Sequence, residues 1–391
     1  MVKINENLKY IESENSFAKV IRLANIYKHE HPDKDVVSLG IGDVTLPIPK
    51  RVVEVMHNAL DEETNSSTFK GYGDSSGYEF LKSTILENEY KNMGFKTSEI
   101  YISNGTKTDS TNILELFDID AKILISDIMY PIYHNAALCL NRKTYMMPLR
   151  EENDFIPEVP QEHYDIIYLC NPNNPIGNVY DYDTLLAWIN YAKKENAIII
   201  YDNVYEDFIH DDLPHSIYEI PGAKNVAIEL KSFSKSLSFS GIRCSYYIIA
   251  EYLYEGVNNI WALRTINRFN GVNYITQKGA NAFYDKDVQK EVNNNINYYL
   301  ENAKILKEGF KSIGFSIWGG DNAPYLWVKI KENMTSWEIF DKYLSELNII
   351  ITPGIIFGLS GDKYFRISAL NTRENTIKAV ERIVKYYEKN N

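Results

Sequence analysis

Cysteine is scarce in this chain of 391 residues: there are three, Cys139, Cys170 and Cys244. They lie far apart, form no Cys-x-x-Cys pair and share no metal-ligand spacing with histidine. Neither a disulfide framework nor a zinc site is therefore expected. All three are expected to be buried small hydrophobes, and a reducing cytoplasm is the expected compartment. Long apolar runs are also missing. Nothing approaches the roughly 18–20 residues that cross a bilayer, and the opening Met1–Asn7 is too polar for a signal peptide. Positive charge is in deficit, with 41 Lys and Arg against 53 Asp and Glu and a net charge of −12. Such a chain has no general attraction for nucleic acid or anionic membranes, so an anionic ligand would need a local cluster of donors. Internal repeats, low-complexity tracts and Pro/Ser-rich linkers are absent as well.

Two nucleotide signatures are excluded. Gly71-Tyr72-Gly73-Asp74-Ser75-Ser76-Gly77 has the wrong spacing for Gly-x-Gly-x-x-Gly and follows no strand, and no Walker lysine motif occurs. No metal is expected either. His134, His163, His210 and His215 show no ligand spacing and are expected at the surface.

What the sequence does contain is alternation. Short β-branched runs at 122–126 (KILIS), 165–170 (DIIYLC), 197–201 (AIIIY), 226–230 (VAIEL) and 246–250 (YYIIA) alternate with helical stretches. A clear helix at 182–195 has Leu185, Leu186, Trp188, Ile189 and Ala192 at helical spacing. This pattern predicts an α/β fold with a mostly parallel sheet covered on both faces. Its length suggests two packed domains. Near 285 the character changes to a long amphipathic helix (288–313), strands near 324–330 and 364–369, and helices at 335–347 and 373–389. That is an α+β pattern, so a boundary is expected there.

One segment concentrates chemistry: Ser232-Phe233-Ser234-Lys235-Ser236-Leu237-Ser238-Phe239-Ser240-Gly241-Ile242-Arg243. Short hydroxyls and an Arg fork converge well on a phosphate, and Lys235 is an amine able to condense with an aldehyde. Asp202 ends an apolar strand, where α/β sheets bind ligands, and suits a protonated pyridine nitrogen. Tyr205, three residues on, can hydrogen-bond a phenolic oxygen, and Asn174, in Asn171-Pro172-Asn173-Asn174-Pro175-Ile176-Gly177, can donate to a ring oxygen. Asn104-Gly105-Thr106-Lys107 lies between a strand at 100–103 and a helix expected at 111–117, a turn suited to phosphate. Together these residues point to pyridoxal 5'-phosphate (PLP).

In chain order the segments VSLGIGDVTLPIP (37–49), GYGDSSGYEFL (71–81), YISNGTKTD (101–109), NPNNPIG (171–177), SIYEIPGAKNVAIELKSFSK (216–235), FNGVNYITQ (269–277), DNAPYLWVK (321–329) and FRISALNTREN (365–375) resemble the class I and II aminotransferases of PLP fold type I. Among these, the LL-diaminopimelate aminotransferases are most similar. The resemblance implies a large domain at 49–285 with a seven-stranded, mostly parallel sheet and a smaller α+β domain at 286–391. Residues 1–48 would form an N-terminal arm and part of the small domain. It implies Lys235 as Schiff-base lysine and proton shuttle, Asp202 on the pyridine nitrogen, Asn174 and Tyr205 on the ring oxygen, and Tyr130 stacked on the ring. Gly105, Thr106, Lys107, Ser232, Ser234 and Arg243 would surround the phosphate. Tyr72 would reach the phosphate of a neighbouring subunit in a homodimer. Arg366 and the Gly42 backbone would hold the substrate α-carboxylate.

The match fails around the distal end of the substrate. An acid of the diaminopimelate enzymes is Ser67 here, a Tyr-Leu-Phe is Asn15-Ser16-Phe17, and a Ser-Gly is Ile355-Ile356, which is expected to add bulk. The lysine segment reads Ser238-Phe239-Ser240-Gly241, and Ile176 replaces a Thr. Lys107 and Asn270 (the latter from the partner) remain, with Arg268 nearby. These changes predict a shorter substrate with an anionic distal end and no distal amine, such as glutamate, aspartate or phosphoserine. Transamination is the expected reaction. The alternative is decarboxylation of a phosphorylated amino acid, L-serine phosphate to ethanolamine phosphate.

Overall fold

The β-branched runs in the middle of the chain are buried on both sides, the pattern of strands covered by helices on each face. The computed structural model describes residues 2–10, 16–40 and 42–390. Its strands, in chain order, are β1 (Val37–Ser38), β2 (Ile100–Ser103), β3 (Ile123–Ser126), β4 (Thr144–Met147), β5 (Ile166–Cys170), β6 (Ile198–Asp202), β7 (Ala227–Ser232), β8 (Ser245–Ile249), β9 (Ile317–Gly319), β10 (Tyr325–Lys329), β11 (Ile349–Ile350), β12 (Thr352–Pro353) and β13 (Tyr364–Ser368). Seven of them form one sheet in the order β2-β8-β7-β6-β5-β3-β4. Only β8 runs against the rest, antiparallel to both β2 and β7. The expected mostly parallel sheet is therefore present.

A second sheet, β12-β13-β10-β9, is antiparallel throughout. Beside it β1 pairs in parallel with β11, Val37 opposite Ile349. The long helix spans Lys286–Ser312, and the helices Ser336–Leu347 and Arg373–Asn390 follow it. Thr335 caps the first of these by accepting from the Glu338 amide, which fits its Thr-x-x-Glu sequence. Helix Tyr182–Glu195 has its predicted bounds and is capped by Asp181.

Three expectations need correction, and one helix lies where the pattern assigned no element. The helix expected at 111–117 begins earlier, as Thr106–Asn112, directly after Gly105; residues 113–116 form a 3-10 turn. Helix Phe17–Glu30, capped by Ser16, was not expected from the sequence pattern. Cys139 is only partly buried, because it ends a short helix near the surface, whereas Cys170 and Cys244 are buried. His134 is half-buried and pairs through Nδ1 with Thr144 Oγ1 at 2.8 Å. Asn15 lies outside the described residues. Among the described residues, no helix is long and apolar enough to cross a membrane, and no acidic, His or Cys group could hold a metal.

On β7 the buried Lys231 anchors the strand leading to Lys235. Lys231 Nζ lies 2.8 Å from Glu89 Oε2 and 2.9 Å from Glu206 Oε2. Burial alone would raise the Glu206 carboxyl, but Lys231 and His215 together pull it down to about 2. Removing the cation leaves Glu89 without its ion-pair partner and Glu206 with His215 alone. Lys231→Met should therefore cost about 3–5 kcal/mol of unfolding free energy at neutral pH, read from urea denaturation.

Candidate active site

Connections leaving the carboxyl ends of β2, β3, β5, β6 and β7, together with segments after β1 and within β13, enclose a cavity of about 410 Å³. This is where open α/β sheets place their ligands. Of the predicted residues, Gly42, Thr106, Lys107, Tyr130, Asn174, Asp202, Tyr205, Ser234, Lys235, Arg243 and Arg366 line it. Residues from sequence-distant segments are thus brought to one cavity.

At the floor, Asp202 is 7% exposed. Its Oδ2 accepts a 2.5 Å hydrogen bond from Tyr133, while Oδ1 is buried with no partner. Burial pushes its carboxyl up to about 6, against the pull of Tyr133 and the Val204 amide. Lys235 Nζ donates to the Gly42 carbonyl at 2.6 Å. Tyr205 Oη lies 2.9 Å from Tyr325 Oη.

A second wall gathers donors. Arg243 Nη1 donates to the Ser240 carbonyl at 2.8 Å and reaches Ser234 Oγ at 3.5 Å. Ser232 lies just behind, capping the turn Phe233–Ser236 by accepting from the Ser234 amide. Gly105 also stands behind the wall, with φ +139°, and a Cβ there would come within 1.8 Å of the Arg243 guanidinium. Beneath this wall Asp109 Oδ2 accepts from Ser103 at 2.5 Å and from Ser245 at 3.1 Å. Burial pushes the Asp109 carboxyl up to about 7.

Arg366 forms the third wall, 2% exposed. Nη1 donates to Asn174 Oδ1 at 2.8 Å and Nη2 to the Gly40 carbonyl at 2.9 Å. The Tyr325 ring lies 4.3 Å from the guanidinium carbon. Because Asn174 accepts through its oxygen, its amide nitrogen is left to donate. Nε of Arg366 is buried without a partner.

Two predicted residues lie elsewhere. Tyr72, 92% exposed, and Asn270 border a separate surface cleft. Arg268 is absent from this cavity and pairs with Glu115 at 3.7 Å. Ser67 is exposed and donates to Asn65. Ile355 and Ile356 do not reach the wall, since Ile356 packs into the core beside Phe357. The bulk expected from them is therefore not in the cavity. Sequence reasoning missed Tyr133, Asp109 and Asp43. Tyr133, three residues after Tyr130, could have been found by asking what supports a buried Asp202. Tyr325 lay in a quoted segment without a role.

Residues 34–383 match the family model for "Aminotransferase class I and II". The chain belongs to the class I and II aminotransferases. It is 42% identical to an LL-diaminopimelate aminotransferase of Prochlorococcus marinus, with 98% of this chain and all of that protein covered. It is 40% identical to one of Methanosphaera stadtmanae, covering 98% of this chain and 99% of that protein. The solved L,L-diaminopimelate aminotransferase of Chlamydomonas reinhardtii superposes with a TM-score of 0.93 at 34% identity, over 99% of both chains. The protein is a PLP-dependent aminotransferase of fold type I. The comparisons do not bear out the expectation of a substrate other than diaminopimelate, nor do they favour decarboxylation.

The residues present fit PLP. A buried carboxylate oxygen without a donor is what a pyridinium N–H needs, and the Ser234–Arg243 wall, kept open by Gly105, suits a phosphate. Gly105→Ala should displace the Arg243 guanidinium and weaken PLP binding by about tenfold or more, measured by titrating the apo-protein. At Asp109 the folded chain keeps a proton that the unfolded chain releases from about pH 4 upward, so this group's contribution to stability falls as pH rises towards about 7. Asp109→Asn should therefore gain melting temperature relative to wild type between those two pH values.

Proposed function

We propose that this aminotransferase takes the amino group of LL-diaminopimelate, with Lys235 as the covalent attachment point for PLP and Arg366 as the α-carboxylate clamp. One arrangement carries the reading: the Lys235 amine shares a cavity with the unpaired oxygen of Asp202 and the buried fork of Arg366. When bound, PLP supplies an aldehyde carbon for amino exchange and a conjugated ring that accepts the electron pair of the Cα–H bond.

The chain's own residues do the rest. Asp202 keeps a proton on the ring nitrogen. Lys235 Nζ carries a proton to and from the substrate Cα, and Tyr205 and the Asn174 amide hold the ring oxygen. Tyr130 covers one face of the ring. Gly105, Thr106, Lys107, Ser232, Ser234 and Arg243 hold the phosphate or its backing. Arg366, with the Gly42 backbone beside it, fixes the α-carboxylate, a task for a planar fork. Burial of this clamp keeps water from competing for the carboxylate. Towards the distal end Lys107 is an exposed cation on the wall and Asp43 an exposed carboxylate, one for each distal charge of diaminopimelate. Asp43 thus offers a partner for the ammonium where Ser67 has none.

The remaining proposals concern organisation. A homodimer in which Tyr72 and Asn270 serve the partner's cavity is supported by their exposure and shared cleft away from this chain's own. Division into 1–48, 49–285 and 286–391 is supported by a core that joins Val20, Ala24, Val37 and Leu39 to residues 303–387, with Ile128, Leu149, Phe155 and Ile176 of the large domain packed against it. A cytoplasmic location is supported by three unpaired cysteines.

The test is NMR of the enzyme with PLP, LL-diaminopimelate and 2-oxoglutarate. Glutamate should form, and Lys235→Ala should lose both turnover and the visible band of bound PLP. A wild-type enzyme that leaves LL-diaminopimelate untouched, yet releases ethanolamine phosphate from L-serine phosphate without any keto acid, would overturn the proposal.

A further inference from the structure

Within hydrogen-bonding distance of the Asp202 carboxylate stands one side-chain donor, the Tyr133 hydroxyl, 2.5 Å from Oδ2. Tyr133 belongs to helix Ile132–Cys139 and is 2% exposed. Its ring stacks on Tyr168 with centroids 4.8 Å apart and planes 22° apart. Tyr130 meets it edge-on at 6.1 Å. Tyr168 is itself tethered, donating to the Ser110 carbonyl at 2.6 Å. The ring therefore cannot swing, and the aim of the hydroxyl is set by packing rather than by the hydrogen bond it makes.

The surroundings give Asp202 little other help. Asp109, whose carboxyl burial pushes up to about 7, brings no stabilising charge, and the buried Cys170 thiol, opposite Asp202 on the neighbouring strand, has its pKa pushed up and stays neutral. Burial likewise pushes up the hydroxyls of Tyr130, Tyr133 and Tyr168, so these face Asp202 uncharged. Arg243 and Arg366 face other groups of the cavity. The Val204 amide is the remaining donor. A carboxylate so enclosed is held in the charged form by few bonds, and the loss of one would be felt.

We propose that Tyr133 is a positioning residue that fixes the rotation of the Asp202 carboxylate and holds it ionised, leaving Oδ1 to accept from the ring nitrogen of PLP. The inference rests on the proposed role of Asp202. It predicts that Tyr133 acts only through that carboxylate, so its effect must vanish when the carboxylate is gone.

The experiment uses wild type, Tyr133→Phe, Asp202→Asn and the double variant, each stripped of cofactor and titrated with PLP by its visible band. Tyr133→Phe keeps the stacked ring and loses only the hydroxyl. It should bind PLP about tenfold more weakly, the loss expected for a hydrogen bond to a charged group. Its kcat should fall, while KM for the amino donor, set by Arg366, changes less than about twofold. In the Asp202→Asn background the same change should add nothing further. A lower apo-protein melting temperature with unaltered PLP affinity would mean a packing role alone and overturn the inference. Equal losses in both backgrounds would overturn it as well. If Asp202→Asn binds PLP as wild type does, the role of Asp202 falls and this inference with it. If the single variants behave as predicted but LL-diaminopimelate is not turned over, only the substrate proposal fails.

Discussion

Charge is costly to bury unless the fold supplies partners, and this molecule buries ionisable groups beneath and across one cavity. Asp202 and Asp109 lie under it, and Arg366 lies across it. Each is met by donors or acceptors from another part of the chain: Tyr133 from a helix, Ser103 and Ser245 from two strands, Asn174 and Gly40 from two turns. The parallel sheet makes this possible. Strands that run the same way deliver their carboxyl ends to one edge, so residues with no sequence relation arrive together already oriented. The apolar runs of the strands and the polar residues at their ends are two aspects of one arrangement.

The satisfied and the unsatisfied atoms carry different information. The Lys231 cluster, which only holds the frame, has its charges met within the chain. Among the described residues several other buried polar atoms lack a partner, Arg142 Nε and Glu332 Oε2 among them, but of the residues lining the cavity only Asp202, at Oδ1, and Arg366, at Nε, have such an atom. Native structures leave few such atoms without partners. Two of them on opposite sides of one cavity match a ligand that brings a cationic nitrogen to one and a carboxylate to the other.

Much of this was legible beforehand. Strand ends were readable because β-branched runs stop at polar residues, which is why Asp202, Asn174 and Lys235 could be singled out before any coordinates. The helix at 182–195 was readable because its apolar face and the Asp181 cap agree. Elsewhere the signals were weak. β4 reads TYMM and is half-exposed at the sheet edge, and β9 is three residues long, so neither shows a period. The start of helix Thr106–Asn112 was misread because its first turn is polar, its apolar residues lying beyond it. Side-chain reach was beyond the sequence altogether. Ile355 and Ile356 looked like bulk in the cavity, but the turn they occupy directs Ile356 into the core.

One bond has a consequence on the timescale of synthesis. Arg366 reaches the Gly40 carbonyl across 326 positions of chain, and β1 is held by β11 from the other end of the molecule. The strands of the large sheet are all made by Ile249, although Val288, Val292 and Ile296 of the long helix complete its core. The carboxylate clamp waits longer. Contacts of such long separation form late, so the substrate clamp is the last part of the cavity to be completed. Competence for chemistry is thereby deferred until nearly the whole polypeptide has emerged.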